Sequence, residues 1–236
     1  MIIHKLIAQH LKKQDDLEFY QMQAVDAIRW IAQSGVPLGA GVHALDLGCG
    51  HGVFGAELLK RGCSVTFSDF DNYLAPTLRT HAFRKFDIDR EDPKTLGEYD
   101  LVICSNVYEH LSKPKQFLEA AAHFLKPGGV LFLSWTNWLS PWGGHEFSPF
   151  HYFGPTLGPK LYDRVMKKQR KHTPHENLFP TYIGETLKII EAQPELLVRK
   201  IAPRYYTEFG FITRIPVVRE FITWNCALLI ERRKRA

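Results

Sequence analysis

A glycine-rich turn between a short apolar strand and a helix constrains the fold of this chain more than any other feature. The stretch HALDLGCGHGVFG runs from His43 to Gly55, and four of its last eight residues are glycine. Glycine adopts backbone conformations that other residues avoid, so the main chain of such a turn can approach a ligand closely, and the next helix points its N-terminus at that ligand. The sequence therefore predicts a strand, a ligand-binding turn and a helix at this point.

The segments around this turn alternate between apolar strands and helices. The predicted strands, each a short and mostly apolar run, cover 42–48, 64–69, 99–106 and 130–136. The predicted helices between them cover 52–62, a segment that starts at or after Pro76, and 113–125 with Ser112 as its N-cap. This alternation requires crossover connections and is typical of a mostly parallel α/β sheet with helices on both faces.

The remaining segments are predicted to complete a single domain. Helices are expected over 16–35, 161–171 and 181–193, and strands over 195–206 and 222–233. The last two strands are expected to close the sheet as an antiparallel edge. We divide the domain into an N-terminal helical cap (1–39), a half that holds the glycine turn (40–136), and a C-terminal part with a loop, helices and the closing strands (137–236).

Composition limits the class of protein. The 236 residues include 30 Lys or Arg and 25 Asp or Glu, a mild net charge of +5. No apolar run is long enough for a transmembrane helix, and the N-terminal residues lack the pattern of a secretion signal. The 4 cysteines form no C-x-x-C pair, which favours a reducing, cytoplasmic location. The basic clusters at 166–172 and at the C-terminus are expected to be solvated surface and not a nucleic-acid site.

The glycine turn fits two kinds of nucleoside cofactor. Gly50, Gly52 and Gly55 form the G-x-G-x-x-G pattern of a dinucleotide site, and Asp69 follows at a distance suited to binding a ribose. Asp46, however, lies in the strand directly before the glycines. A carboxylate there would repel a pyrophosphate and attract a cationic ligand. An NAD-dependent oxidoreductase therefore stays an alternative, while Asp46 favours a positively charged cofactor.

In order along the chain, the motifs resemble those of the class I S-adenosylmethionine-dependent methyltransferases of the small-molecule type. ALDLGCGHG resembles the first motif of that family, and VTFSDFD, FRKFDIDRE, YDLVICSNVYEHL and FLKPGGVLFLSW resemble the later ones. The resemblance covers roughly residues 40–136. It implies S-adenosyl-L-methionine as the cofactor and a Rossmann-like sheet of seven strands, mostly parallel, with the last strand antiparallel.

The same resemblance implies a role for each residue at the cofactor rim. Asp69 is expected to bind both ribose hydroxyls, Phe70 and Ile88 to pack on the adenine, and Asp87 to meet its amino edge. The complete set implied to contact the cofactor is Asp46, Gly48, Gly50, Gly52, Asp69, Phe70, Asp87, Ile88 and Asn106.

Four residues are candidates for catalysis on the acceptor side. His110 follows the fourth strand, and the resemblance to small-molecule O-methyltransferases implies that it lies beside the acceptor, where it could act as a general base. His145, Glu146 and His151 lie in a loop over 137–159 that is rich in Pro, Gly and aromatic residues, and a histidine–carboxylate pair there could act as base and orienter. The alternatives are that His110 only hydrogen-bonds the backbone and that the loop is a hydrophobic cap.

This loop is not expected to bind a metal ion. HEFSPFH differs from the H-E-x-x-H zinc motif, and Pro149 prevents the single helical face on which that motif depends. No metal ligand is therefore assigned from the sequence.

Segment 209–225 has two interpretations. Its apolar residues are interrupted by Arg214, Pro216 and Arg219. It could form a wall for a lipid-like acceptor or a surface that touches a membrane, or it could be an insertion between the last two strands that packs on the core or on a second subunit.

The sequence thus predicts a methyltransferase that acts on a hydroxyl of a small, sugar- or lipid-like molecule. The alternatives are the NAD-dependent oxidoreductase and a catalytically silent protein that binds S-adenosylmethionine. The oligomeric state is left open.

Overall fold

A seven-stranded sheet forms the centre of the computed structural model, which describes residue 4 and residues 16–234. The strands are β1 (His43–Leu47), β2 (Ser64–Asp69), β3 (Phe83–Lys85), β4 (Tyr99–Ser105), β5 (Leu125–Thr136), β6 (Leu196–Pro203) and β7 (Asn225–Arg232). The α-helices are α1 (Asp16–Gln33), α2 (Val53–Lys60), α3 (Pro114–Ala120), α4 (Gly154–Met166), α5 (Ile183–Glu191) and α6 (Val218–Ile222).

The order of the strands confirms the predicted fold class. The sheet runs β3-β2-β1-β4-β5-β7-β6, with parallel pairing from β3 to β5. β7 is antiparallel to both β5 and β6, so the last strand of the sequence is antiparallel, as expected. β7 lies between β5 and β6, and β6 therefore forms the edge. The short strand β3 has too few residues to produce a recognisable pattern in the sequence.

Helices cover both faces of the sheet. Successive residues of a strand point to opposite faces, so each central strand contributes to two cores. Leu45 and Leu47 of β1 belong to a core that includes Phe117 of α3 and Ile183 of α5. Ala44 of β1 belongs to a second core, which includes residues of α1 and α2. Burial on both faces explains why the central strands have continuous apolar sequences instead of alternating ones.

Two predicted helices differ from the structure. The segment after Pro76 forms a single 3₁₀ turn over Pro76–Leu78. The helix expected over 113–125 is α3 followed by a 3₁₀ turn, and its N-cap is Lys113. The predicted N-cap Ser112 is wrong, because the helix begins at Pro114 and Ser112 lies one residue before the N-cap position.

The loop expected over 137–159 is shorter than its composition suggested. α4 begins at Gly154, with Pro155 in its first turn, and ends at Met166. Proline is tolerated in the first turn of a helix because the N–H groups there have no partner within the helix. Pro155 is at such a position, whereas Pro159 lies inside the helix, where its missing N–H leaves one i→i−4 hydrogen bond unmade.

Among the described residues, no helix is long and apolar enough to cross a membrane. Of the predicted N-terminal cap, the structure describes residue 4 and the part from residue 16 onward. The N-terminal residues, which were predicted to lack a secretion signal, lie largely outside the described residues. Arg235, from the C-terminal basic cluster, also lies outside them.

Candidate active site

The glycine turn is attached to the carboxyl end of β2. The N–H groups of Gly48 and Cys49 both donate to the carbonyl of Ser68, at 2.8 and 3.0 Å. Gly48, Gly50 and Gly52 have φ values of +70°, +49° and +80°, a region that side chains other than glycine disfavour. The local sequence therefore produces the sharp turn between β1 and α2 that was predicted.

Two glycines are required because neighbouring side chains approach the backbone. A Cβ on Gly48 would lie 2.4 Å from Cγ2 of Val107, and a Cβ on Gly55 would lie 2.2 Å from Cε1 of Phe67. Gly55 thus lets α2 pack closely on β2, whatever ligand the turn binds. A Cβ on Gly50 would meet nothing within 4 Å, so the open side of the turn is at Gly50.

Two carboxylates accept hydrogen bonds from the turn and from the start of α2. Oδ2 of Asp46 accepts a hydrogen bond from the N–H of Gly55 at 2.8 Å, and Asp46 is only 3% exposed. Oδ2 of Asp69 accepts from the N–H of Gly50 at 2.9 Å, and its Oδ1 accepts from the N–H of Phe70 at 2.8 Å. Burial raises the pKa of Asp46 to about 7 and also raises the pKa of Asp69.

These groups fit S-adenosylmethionine better than a dinucleotide. Within the described part of the chain, neither Asp46 nor Asp69 forms an ion pair with Lys or Arg. Two carboxylates without a basic partner repel a pyrophosphate and attract a cation or hydroxyl donors. A sulfonium, an α-amino group and ribose hydroxyls match this set of acceptors.

The residues predicted to meet the adenine follow neighbouring strand ends. Phe70 comes directly after β2, is 60% exposed, and lies edge-on to Tyr73 with ring centroids 5.3 Å apart. Asp87 follows the adjacent strand β3, and its Oδ1 accepts from the N–H of Asp89 at 3.0 Å. Ile88 is partly buried against the core. An exposed aromatic ring and a carboxylate thus lie along the same rim as Asp69.

Asn106 is part of a polar network that the sequence did not reveal. Its Oδ1 accepts from Nδ2 of Asn225 at 2.9 Å and from Nη1 of Arg204 at 3.3 Å. Its Nδ2 donates to Oε1 of Gln23 at 3.1 Å, and its backbone N–H donates to the carbonyl of Ser134 at 2.7 Å. The side chain of Asn106 therefore links α1 to the carboxyl ends of the strands, and its contact with the cofactor stays a prediction.

Arg204 is the charged member of this network. It is 2% exposed, and within the described residues it forms no ion pair. Its guanidinium donates to Oγ of Ser134 at 3.0 Å and lies 5.3 Å from the ring centroid of Phe54 and 5.9 Å from that of Phe132. Nothing in its local sequence, at the end of β6, indicates burial next to Asn106.

Three histidines from distant segments meet on the acceptor side. His110 ends a 3₁₀ turn after β4, His145 begins a 3₁₀ turn after β5, and His172 follows α4. One ligand nitrogen from each ring lies within 4.8 Å of those of the other two. The ring centroids are separated by 5.3 Å for His110 and His145, 5.4 Å for His110 and His172, and 4.6 Å for His145 and His172. We call these three residues the histidine cluster.

Glu146 orients His172 and not its sequence neighbour. Oε2 of Glu146 lies 2.6 Å from Nδ1 of His172, and its Oε1 accepts from the backbone N–H groups of Lys171 and His172 at 2.6 and 2.7 Å. The sequence predicts the histidine of this pair within the same loop, at position 145 or 151. His172 was assigned to a basic surface cluster, because nothing local distinguishes it from a solvated histidine.

The two remaining predicted histidines have different surroundings. Burial, followed by the nearby His110 and His172, lowers the pKa of His145 to about 4, so this ring is neutral at pH 7. His151 is 0% exposed, its Nε2 lies 3.0 Å from the carbonyl of Ser140, and its ring packs on Trp138. The His151 side chain thus has no exposed surface in this conformation and packs inside the loop, and its catalytic role stays a prediction.

Segment 209–225 leaves a group of apolar side chains exposed. It contains the end of a 3₁₀ helix over Thr207–Arg214 and helix α6, and it lies between β6 and β7 as expected for an insertion. The exposed apolar side chains are Phe209, Phe211, Ile215, Val217, Val218, Phe221 and Ile222. We call these seven residues the apolar patch; they do not pack on the core, while the predicted contacts with a lipid-like acceptor, a membrane or a second subunit stay predictions.

Comparisons with known proteins identify the family. A family model described as a methyltransferase domain matches residues 9–174. An uncharacterized methyltransferase of Mycobacteroides abscessus is 29% identical over 234 residues, covering 91% of this chain and 87% of the relative. Another from Mycobacterium leprae is 30% identical over 227 residues, covering 91% of this chain and 83% of the relative.

Solved structures share the fold at low sequence identity. An S-adenosylmethionine-dependent methyltransferase from Mesorhizobium loti has a TM-score of 0.58 and 16% identity, over 86% of this chain and 97% of that chain. The magnesium protoporphyrin IX methyltransferase of Synechocystis, with S-adenosylhomocysteine bound, has a TM-score of 0.55 and 16% identity, over 90% and 83% of the two chains. With the glycine turn and its two carboxylates, these matches show that the chain belongs to the methyltransferase domain family and is a class I S-adenosylmethionine-dependent methyltransferase.

Proposed function

We propose that this enzyme methylates a hydroxyl group of a lipid-like small molecule and that His110 accepts the hydroxyl proton. The observation that carries the proposal is the hydrogen bond of 2.7 Å between Nδ1 of His110 and the carbonyl of Asn177. A carbonyl has no proton to give, so Nδ1 is the donor and Nε2 keeps a free lone pair. A histidine in this tautomer is suited to act as a general base through Nε2.

The cofactor is assigned to the open side of the glycine turn. When bound, S-adenosylmethionine supplies a methyl group on a positively charged sulfur. We assign Asp69 to the ribose hydroxyls and Phe70, Asp87 and Ile88 to the adenine. Asp46 contributes negative charge beside the turn, which stabilises a bound cation. Gly48, Gly50 and Gly52 keep the backbone close to the ligand.

His110 is close enough to this cofactor site to act on an acceptor there. The side chain of Val107 lies against Gly48, since a Cβ on that glycine would be 2.4 Å from Cγ2 of Val107. His110 follows Val107 at the end of one 3₁₀ turn. A 3₁₀ turn of three residues advances about 6 Å. The position of His110 therefore supports a role at the methyl-transfer site.

The apolar patch supports an acceptor with a hydrocarbon part. Trp142, three residues before His145, packs against Trp224 with ring centroids 4.6 Å apart. This contact joins the loop of the histidine cluster to the segment that carries the patch. Exposed apolar surface of this kind stabilises a hydrocarbon chain by removing it from water. We therefore favour a lipid-like alcohol or phenol over a sugar.

Methyl transfer from S-adenosylmethionine with a labelled methyl group tests this proposal. Long-chain alcohols, prenylated phenols and sugars are offered in parallel, and the products are identified by mass spectrometry. We expect a methyl ether on an apolar alcohol or phenol, with kcat reduced at least a hundredfold in H110A and an unchanged affinity for S-adenosylhomocysteine.

The matched control is H123A, because His123 lies before the amino end of β5, away from the rim. H123A should keep full activity. A product methylated on nitrogen or sulfur, or an H110A variant with the kcat of the wild type, would contradict the proposal.

A further inference from the structure

The histidine cluster has the ligand set of a transition-metal site. Three imidazole nitrogens within 4.8 Å of one another come from three separate segments, and no two of the residues are neighbours in sequence. In a tetrahedral zinc site with Zn–N bonds of about 2.0–2.1 Å, the nitrogens lie about 3.3 Å apart. The three nitrogens of the cluster, which lie within 4.8 Å of one another, would have to approach to that separation when an ion binds.

Two of the three rings already have the outer contacts of metal-bound histidines. Nδ1 of His172 lies 2.6 Å from the carboxylate of Glu146, and Nδ1 of His110 lies 2.7 Å from the carbonyl of Asn177. Metal-binding histidines commonly donate one ring N–H to a carboxylate or a carbonyl, which fixes the tautomer and leaves the other nitrogen for the metal. In both residues Nε2 is thereby left as the ligand atom.

The third ring is held in place by its backbone. His145 has φ +51°, which is unusual for a residue with a side chain. Its Nδ1 is buried and has no hydrogen-bond partner among the described residues. The two glycines before it are tightly packed, since a Cβ on Gly143 would lie 1.7 Å from the carbonyl oxygen of Trp138 and one on Gly144 2.6 Å from Cβ of His151. A buried nitrogen without a partner costs free energy that a bound cation would recover.

The ligand chemistry selects the class of metal. Imidazole nitrogen suits zinc, copper, iron and nickel, whereas magnesium and calcium prefer oxygen ligands. Three histidines with an open fourth position are a known arrangement for zinc that binds a water or substrate oxygen.

We propose that His110, His145 and His172 bind one Zn²⁺ or a similar divalent transition-metal ion, with Glu146 and Asn177 as outer-shell partners and a fourth position open to an oxygen ligand. This proposal stands on the cluster itself and does not depend on the nature of the methyl acceptor. A nitrogen bound to a cation cannot accept a proton. The base role proposed for Nε2 of His110 therefore belongs to the metal-free enzyme, and in the metal-bound enzyme the ion would instead lower the pKa of a coordinated hydroxyl.

Metal binding is measured on tag-free enzyme of full length, stripped with a chelator and titrated with ZnCl₂ by calorimetry. We expect one Zn²⁺ per chain. Co²⁺ in place of Zn²⁺ should give the intense visible absorption of tetrahedral cobalt. H172A should weaken Zn²⁺ binding at least a hundredfold, and E146Q, which keeps all three ligands, should weaken it about 10- to 100-fold.

H123A and H175N serve as controls, because neither residue belongs to the cluster and asparagine tolerates the φ of +66° at position 175. Both should bind Zn²⁺ like the wild type, and thermal unfolding verifies that each variant folds. Equal Zn²⁺ affinity in H172A and the wild type, or a weak octahedral Co²⁺ spectrum, would overturn the proposal. Zn²⁺ binding without hydroxyl methylation would contradict only the proposed function, and full methylation by a chain that binds no metal would contradict only the metal site.

Discussion

The carboxylate of Glu146 lies 2.6 Å from Nδ1 of His172 and so joins the loop after β5 to the loop after α4. Its second oxygen accepts two backbone N–H groups of that later loop. One side chain therefore holds His172 in its ring orientation and also fixes the backbone on which His172 lies. The arrangement of the histidine cluster depends on this contact.

Replacing Glu146 should destabilise the protein measurably. E146A removes the acceptor of three donors, and because the site is only partly exposed, water replaces those bonds incompletely. We expect a loss of about 1–3 kcal/mol in the free energy of unfolding, measured in urea. The control E119A removes the partner of an exposed ion pair on α3, Lys115–Glu119 at 3.7 Å, and should cost less than about 0.5 kcal/mol. Equal losses in the two variants would show that Glu146 is only a surface residue.

The packing of α2 on β2 predicts a cost for a side chain at position 55. G55A places a methyl group against the buried ring of Phe67, and overpacking of this kind costs about 1–3 kcal/mol. F67L removes the ring that makes the contact. The double variant should therefore be more stable than the sum of the two single changes predicts, as measured by chemical unfolding. If the changes in the free energy of unfolding of the two single variants simply add in the double variant, the contact with Phe67 is not what requires glycine at position 55.

Binding of the cofactor should depend on pH through Asp46. Burial, together with the nearby Asp69 carboxylate and against the hydrogen bond from the Gly55 N–H, raises its pKa to about 7. Below pH 7 the Asp46 carboxyl is mostly protonated and must lose that proton before it attracts a cation. The affinity for S-adenosylmethionine should therefore rise with pH up to about 7, by at most about tenfold per unit, and then level off.

Calorimetry in buffers with different ionisation enthalpies measures the proton that binding releases. D46N should bind S-adenosylmethionine more weakly, and its affinity should not change over the same pH range. A wild-type affinity that is constant between pH 6 and 8 would contradict the expected link between the protonation of Asp46 and cofactor binding.

Asp69 should be essential for cofactor binding, whereas His110 should not. D69A removes the acceptor of the Gly50 and Phe70 N–H groups as well as the proposed partner of the ribose. Each hydrogen bond to a charged group contributes about 1.5–3 kcal/mol, so the Kd for S-adenosylhomocysteine should rise at least a hundredfold. D71A is the matched control, because Asp71 is an exposed acid two residues further along. A Kd for D69A within a fewfold of the D71A value would contradict the assignment of Asp69.

The cofactor half was predictable because its signals are local. The glycine turn, the acid in β1 and the acid that ends β2 lie within residues 43–69 of the sequence, and the carboxyl ends of adjacent parallel strands necessarily meet at one rim. Strands β1, β2, β4 and β5 were recognisable for the same reason, since each is a buried apolar run. β3 and the single turn after Pro76 were missed, because three residues carry no measurable periodicity.

The acceptor side was only partly predictable. His110 was found through its position after β4, and Glu146 through the composition of its loop. The histidine that pairs with Glu146 was expected within the same loop, and His172 was missed because its contact with Glu146 spans two loops on either side of α4. Arg204 and Gln23 were missed for a similar reason: their burial depends on α1 and β6 packing around Asn106.

The amino-acid sequence by itself determined the alternation of strands and helices, the glycine turn and the acids that point to S-adenosylmethionine. These properties depend on backbone preferences and on side-chain patterns within a few residues. Only the tertiary structure decided which histidines meet, which of them Glu146 orients, and that His151 is buried away from them. Such contacts depend on how long loops close over the rim of the sheet, and that closure is determined by packing between segments that are far apart in the chain.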